Sequence, residues 1–309
     1  MKIYKNLEKF SDFKNPVVTV GTFDGVHKGH QKIIEMLNSS AKEFKGESVI
    51  ITFEPHPRLA LYLAGKEIEL LNTKEEKLEL LEKSGVQNTI VFDFTTEFSK
   101  MKHDDFIKEI LIEKIKVKKL IVGYNHHFGL NREGNFDYFQ QSGKLYDFNI
   151  EKAEQVEVNG VPVSSSKVRE ALLEGNIKLS NDYLGYDYIL TGKVIGGNKI
   201  GRNIGFPTAN IQIEEASKLI PKNGVYAVII EFDKKHYKGM LNIGIRPTFN
   251  FKMRTIEVNI FDFEDDIYNK KIKIYFKERI RDEMKFLTID ALREQINSDK
   301  TKCKNILGL

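Results

Sequence analysis

Val17-Val18-Thr19-Val20-Gly21-Thr22-Phe23-Asp24-Gly25-Val26-His27-Lys28-Gly29-His30-Gln31 reads as a β-branched strand, a glycine-punctuated turn carrying two histidines, and the start of a helix with apolar residues at Ile33, Ile34 and Leu37. A strand that empties through a tight turn onto a helix N-terminus presents backbone N–H groups and the positive end of the helix dipole, which together attract phosphate. Two imidazoles on that turn add donors that can follow charge as it builds on a phosphate oxygen. An ordinary strand-to-helix loop with surface histidines is the plainer alternative. The H-x-G-H spacing, the preceding T-F-D-G and the strand-to-helix setting all favour a phosphate site.

The rest of the chain bounds that reading. Its 309 residues suit two domains better than one core. An apolar content of 41% and a charged content of 30% are ordinary for a globular protein. No run approaches the ~18 apolar residues of a membrane span, and the N-terminal Met1-Lys2-Ile3-Tyr4-Lys5 opens no apolar core of signal-peptide length. The single cysteine, Cys303, excludes an internal disulfide framework and a cysteine metal cluster, so the cytoplasm is the expected compartment. Net charge is +4, unevenly spread: residues 1–184 carry 26 Lys/Arg against 28 Asp/Glu, and residues 185–309 carry 22 against 16. A basic second half suits a polyanionic small molecule such as a nucleoside triphosphate. It would also suit nucleic acid, and charge alone does not choose.

Strand and helix alternate through the first half. Strands are expected at 48–53, 89–92 and 119–122, and helices at 74–84 (Leu78 and Leu81 on one face) and 104–116. Such alternation predicts a parallel sheet with crossover helices, and ligands collect at the carboxyl ends of its strands. That places residues 21–30, 53–57 and 123–128 along one rim. Residues 161–166 lead into a helix over 167–173, with Ser164 or Ser165 as its N-cap. Beyond a boundary near 185 lie β-type runs at 189–195, 225–232, 237–243, 256–261 and 272–280, then a helix near 289–296, which predicts an antiparallel barrel.

Four further stretches carry chemistry. Gly123-Tyr124-Asn125-His126-His127-Phe128-Gly129 brackets polar and aromatic residues with glycines that let a backbone approach a nucleotide; a plain turn with an exposed His pair fits as well. A metal role for His126-His127 is not expected, because adjacent turn residues diverge. Ser164-Ser165-Ser166-Lys167-Val168-Arg169 sets hydroxyls at a helix start and an arginine in its first turn. It fits either a second phosphate site, suited to the β- and γ-phosphates of ATP, or a simple cap with a solvated arginine. Thr52-Phe53-Glu54-Pro55-His56-Pro57 reads unaided as a rigid turn, with Phe53 offering a flat face. Residues 192–210, G-K-V-I-G-G-N-K-I-G-R-N-I-G-F-P-T-A-N, interleave glycines with Lys193, Lys199 and Arg202, a weak generic signal for phosphate binding.

Together these residues resemble the bacterial bifunctional riboflavin kinase/FMN adenylyltransferase (FAD synthetase) family, over essentially the whole chain. G-T-F-D-G-V-H-x-G-H resembles its nucleotidylyltransferase signature, T-F-E-P-H-P its flavin-side loop, and S-S-S-K-V-R its S-S-T-x-[IV]-R element. G-F-P-T-A-N over Gly205, Phe206, Pro207, Thr208, Ala209 and Asn210 resembles the riboflavin kinase signature. Residues 223–226, 241–248, 255–262 and 279–286 match that kinase in order. His126 stands where the family has Phe, and Asn269 where it has Gly.

The resemblance implies a Rossmann-like α/β nucleotidylyltransferase domain with a parallel sheet over residues 1–184 and an antiparallel β-barrel riboflavin kinase domain over residues 185–309. It implies that riboflavin is phosphorylated to FMN and FMN adenylylated to FAD, with ATP as co-substrate and Mg²⁺ as cofactor. For adenylyl transfer it implies His27 and His30 as catalytic, with Gly21, Thr22, Phe23, Asp24, Gly25, Asn125, Ser164, Ser165 and Arg169 around ATP, and Phe53, Pro55, Pro57 and Phe128 around the flavin. For the kinase it implies Glu257 as general base. Gly197, Lys199, Gly201, Arg202, Gly205, Phe206, Pro207, Thr208 and Asn210 would surround ATP, Thr208 and Asn210 would hold Mg²⁺, and Arg281, Glu283 and Phe286 would lie near the flavin. From the residues alone, Glu257 on a β-type run is either a carboxylate with a task or an outward-facing strand residue. No nucleic-acid or membrane partner is expected, and the chain is expected as a monomer or weak homo-oligomer. A single-activity adenylyltransferase, against which G-F-P-T-A-N argues, and a flavin-binding regulator without turnover are the rival readings.

Overall fold

A computed structural model describes residues 1–5, 12–61, 69–124, 136–197, 201, 204–247 and 252–309. Its contacts divide the chain into two units, Met1–Ser164 and Ser165–Leu309.

In the first unit β1 (Lys2–Lys5), β2 (Val17–Val20), β3 (Ser48–Glu54), β4 (Asn88–Asp93), β5 (Lys119–Val122) and β6 (Asn149–Lys152) form one sheet in the order β1-β4-β3-β2-β5-β6. Every neighbouring pair in it is parallel. The period of two sorts its side chains into two cores. Val18, Val20, Val49, Ile51 and Phe53 pack on one face with Phe106, Ile110 and Leu111. Val17, Ile50 and Ile121 pack on the other with Ile34, Leu37 and Ala41 of the helix Lys28–Glu43 and Leu81 of the helix Lys74–Lys83. Strand order runs outward from β2 through β3 to β4 and resumes on the other side at β5, so the switch point lies beside β2. In open parallel sheets that crevice, at the carboxyl ends, is where ligands bind.

Several elements of this unit were not legible in the sequence. The strands β1 and β6 and the helix Phe136–Tyr146 are short or weakly patterned. Phe106–Lys114 winds as a π-helix. A hairpin of β7 (Glu157–Val158) and β8 (Val161–Pro162) turns at Asn159-Gly160, both at positive φ, the pairing that a two-residue hairpin favours.

The second unit is a closed antiparallel barrel of β9 (Tyr188–Ile195), β10 (Ala209–Gln212), β11 (Gly224–Phe232), β12 (Lys235–Pro247), β13 (Lys252–Ile260) and β14 (Lys271–Arg281), in the order β10-β13-β12-β11-β14-β9. Tyr188, Tyr226 and Phe276 fill its interior; the Tyr226 and Phe276 rings meet edge to face at 5.1 Å. The helix Ile289–Leu307, longer than expected, covers the outside of the barrel, where Cys303 packs on Val225, Ala227 and Met240. The helices Ser165–Glu174 and Ile177–Leu184 also belong to this unit. Asn176 caps the second, which ends at Gly185 in the left-handed region. Both expected architectures are therefore present, a parallel α/β sheet and an antiparallel barrel.

Candidate active sites

At the end of β2 the chain reverses within a few residues. Phe23, Gly25 and Val26 all take positive φ, 50°, 86° and 34°. For a β-branched residue such as Val26 this is a strained conformation, of the kind that persists where the surroundings over-determine it. The turn delivers His27 to the N-cap of the helix Lys28–Glu43, where its Nδ1 accepts the backbone N–H of His30 at 3.4 Å. That bond places the proton of a neutral His27 on Nε2. The two imidazoles stack, with centroids 3.8 Å apart and planes 16° off parallel. Gly29 permits this: a Cβ there would come within 3.2 Å of the His27 ring. Phe23 is buried and lies 5.0 Å from the His30 ring. Burial, reinforced by His27 and Lys77, pushes the His30 imidazole well below its ordinary pKa, and its Nδ1 is buried without a hydrogen-bond partner. The turn thus offers two imidazoles at a helix start, His30 held neutral, an arrangement that can stabilise charge on a phosphate.

The residues around the turn divide between site and scaffold. Asp24 is buried, and its Oδ1 accepts the N–H groups of Leu71 (2.9 Å) and Asn72 (3.4 Å), tying the turn to the segment before the helix Lys74–Lys83. Phe53 is 6% exposed, ringed by Phe92, Phe94 and Phe98 at 5.6–6.5 Å. Its expected flat face is thus taken up by the core, while Phe94 and Phe98 are only half-buried. Pro55 is exposed, Pro57 starts a short helix, and buried His56 accepts the Arg58 N–H at 3.1 Å. The Val163 carbonyl would lie 3.9 Å from a Cβ on Gly29, so the segment ending at Ser164 runs beside the histidine turn. Ser165 opens the helix Ser165–Glu174, on which Arg169 is half-buried. Asn125 and Phe128 lie outside the described residues.

One residue here carries no signal in the sequence. Lys77, among Lys74-Glu75-Glu76-Lys77, looks like part of a solvated charged face, yet it is 7% exposed. A capping box between Thr73 and Glu76 sets the helix start and turns Lys77 inward, four residues from buried Leu81.

In the barrel, Glu257 alternates with buried Ile256 and Val258 and so faces outward, half-buried. Directly opposite it across the ladders stand Asn210 on β10 and Asn242 on β12. Thr208 Oγ1 lies 3.5 Å from Glu257 Oε2. Nothing in the sequence marks Asn242 as a neighbour of Glu257; only strand register brings them together. Glycines make room for this patch: a Cβ on Gly197 would fall 2.0 Å from Asn210 Nδ2, and one on Gly201 2.2 Å from the Phe206 carbonyl. Gly205 takes a φ of 87°, and Asn259 Nδ2 donates to the Pro207 carbonyl at 2.7 Å. Lys199 and Arg202 lie outside the described residues.

The segment after β14 is anchored from two sides. Arg281 clasps the buried Asp299 carboxylate at 2.7–3.1 Å, with the Phe286 ring 5.9 Å from its guanidinium. Glu283 accepts the Ile245 N–H at 3.3 Å over Gly244, where a Cβ would collide with the carboxylate. Among the described residues no group of three His, Cys, Asp or Glu side chains is placed to hold a metal, and no helix is long and apolar enough to cross a membrane.

Each cluster falls within its own family match: FAD synthetase over residues 9–167 and riboflavin kinase over residues 184–307. The two matches thus make the chain an ATP-using transferase of two catalytic parts. The bifunctional riboflavin kinase/FMN adenylyltransferase of Escherichia coli K12 is 33% identical over 312 residues, covering 100% of this chain and 99% of its own. The Haemophilus influenzae protein of the same name is 37% identical, covering 93% and 92%. A crystal structure described as a macrolide-efflux protein from Streptococcus pneumoniae is 30% identical, with a TM-score of 0.91 over 99% of both chains. The chain belongs to the bifunctional riboflavin kinase/FMN adenylyltransferase family.

Proposed function

We propose that the chain makes FAD from riboflavin in two ATP-dependent steps, the first in the barrel and the second on the parallel sheet. The observation that carries this reading is that each family match contains its own polar cluster: Thr208, Asn210 and Glu257 in one, His27 and His30 in the other. The segments matched to the two families, ending at 167 and beginning at 184, support a functional boundary near residue 185.

In the first step Glu257 takes the proton of the riboflavin 5′-hydroxyl as that oxygen attacks the γ-phosphorus of ATP; the bond to the β-phosphate oxygen breaks, giving FMN and ADP. Thr208 and Asn210 offer hard oxygen donors beside the Glu257 carboxylate, which fits Mg²⁺. When bound there, the ion supplies positive charge to the ATP phosphates. The glycines 197, 201 and 205, with Lys199, Arg202, Phe206 and Pro207, would wrap the nucleotide. Arg281, Glu283 and Phe286 would border the flavin.

In the second step an FMN phosphate oxygen attacks the α-phosphorus of another ATP and pyrophosphate leaves. The nucleophile is already an anion, so no strong base is required. His27 and His30 would stabilise the charge on the α-phosphate, and the family resemblance assigns the leaving pyrophosphate to Ser164, Ser165 and Arg169. The T-F-D-G turn and Asn125 would line ATP, and Pro55, Pro57 and Phe128 the flavin side, with Phe53 supporting that loop from the core. Incubation with riboflavin, ATP and Mg²⁺ tests the reading chromatographically: FMN and then FAD are expected, and absence of FMN would return the chain to a single adenylyltransferase activity.

A further inference from the structure

The ladder between β2 and β3 ends where the histidine turn begins. Its last paired residues are Val20 and Ile51, and Gly21 N–H donates to the Ile51 carbonyl at 3.0 Å. Beyond that point the two chains are tied by side chains. Thr52 Oγ1 donates to the Thr22 carbonyl at 3.3 Å. Lys77 Nζ reaches in from the helix Lys74–Lys83 and lies 3.4 Å from the Thr22 carbonyl, 3.3 Å from Thr52 Oγ1 and 3.4 Å from the Phe53 carbonyl. An ammonium carries three donors on one atom, matching three acceptors. We propose that Lys77 is a positioning residue of the adenylyltransfer step, its buried ammonium fixing the His27–His30 turn against the T-F-E-P-H-P loop.

Two further observations agree. The segment leading into the helix that carries Lys77 is itself anchored to the turn, through the Asp24 carboxylate and the N–H groups of Leu71 and Asn72. Burial pulls the Lys77 pKa down, and the nearby Glu54 and Asp24 carboxylates oppose that pull and favour the charged form. The charged groups acting on His30 are His27, stacked on it, and Lys77 from the neighbouring helix, and both disfavour the imidazolium. Lys77 therefore sets the geometry of the turn and helps to keep His30 neutral. The inference rests on the assignment of adenylyl transfer to this turn.

The test compares wild type with Lys77→Met, which keeps the stem and removes donors and charge, in FAD formation from supplied FMN and ATP. The expected result is a fall in kcat of about 10²-fold, with the KM for ATP little changed. In the same variant the His30 ring, followed by NMR without substrates, should titrate at higher pH than in wild type, because a positive charge that disfavours the imidazolium is gone. A wild-type kcat, or an unmoved His30 titration, overturns the proposal. If Lys77→Met does not fold, Thr52→Val removes one acceptor of the ammonium together with the Thr52 bond to the Thr22 carbonyl and leaves the charge; it should lower kcat severalfold without moving His30, and a wild-type kcat overturns the proposal there. A wild-type protein that makes no FAD from FMN sinks the functional reading instead, which keeps the two failures apart.

Discussion

His30 is held neutral by its surroundings: burial first, then the stacked His27 and the buried Lys77. An unfolded histidine takes up its proton near pH 6.5, whereas His30 in the folded chain does so only well below that. Above pH 6.5 both states are neutral there and the residue adds no pH dependence. As pH falls below 6.5 the unfolded state binds the proton first, so stability is lost until the folded pKa is reached. Denaturant melts between pH 7 and pH 5 should show a steeper loss for wild type than for His30→Gln; equal slopes would contradict the assigned environment. At this scale the sequence was legible in part. The H-x-G-H spacing showed where the two imidazoles would lie, because spacing and a helix start suffice to place them. Burial of Phe53 and Lys77 was not legible: an aromatic beside two prolines and a lysine among glutamates each look exposed until neighbouring elements close over them.

The helix Ile289–Leu307 shows how one buried charge pair holds an element. Asp299 is 1% exposed, takes Arg281 from the end of β14 and accepts Gln295 Nε2–H at 2.9 Å. Removing the guanidinium leaves a buried carboxylate without its counter-charge, so Arg281→Ala should destabilise the barrel unit by about 3–5 kcal/mol. Cys303 on the same helix reports on docking. Burial and the nearby Asp299 push its thiol up to about 12, which leaves it unreactive while the helix is seated. Thiol-reagent labelling should be slow in wild type and faster in Arg281→Ala; equal rates would show that the pair does not hold the helix. Strands dense in β-branched residues, such as β3 and β11, lie within a residue or two of their expected ranges. The helices Phe136–Tyr146 and Ile177–Leu184 and the strand β10 escaped, since each takes its stability from packing or closure rather than from its own pattern.

For the whole molecule, the strand-helix alternation of the first half and the strand-turn succession of the second were enough to separate two architectures. They could not show that the helices Ser165–Glu174 and Ile177–Leu184 pack with the barrel unit, because the amphipathic face of a short helix does not name its partner. The central claim is that two consecutive reactions use two separate sets of residues. The most direct measurement is a chromatographic time course of riboflavin, FMN and FAD with ATP and Mg²⁺ for wild type, Glu257→Ala and His30→Ala, each checked for folding. Wild type should convert riboflavin through FMN to FAD. Glu257→Ala should make no FMN from riboflavin yet convert supplied FMN to FAD, and His30→Ala should stop at FMN. If either substitution removes both activities from a folded protein, the account of two separate sites is contradicted.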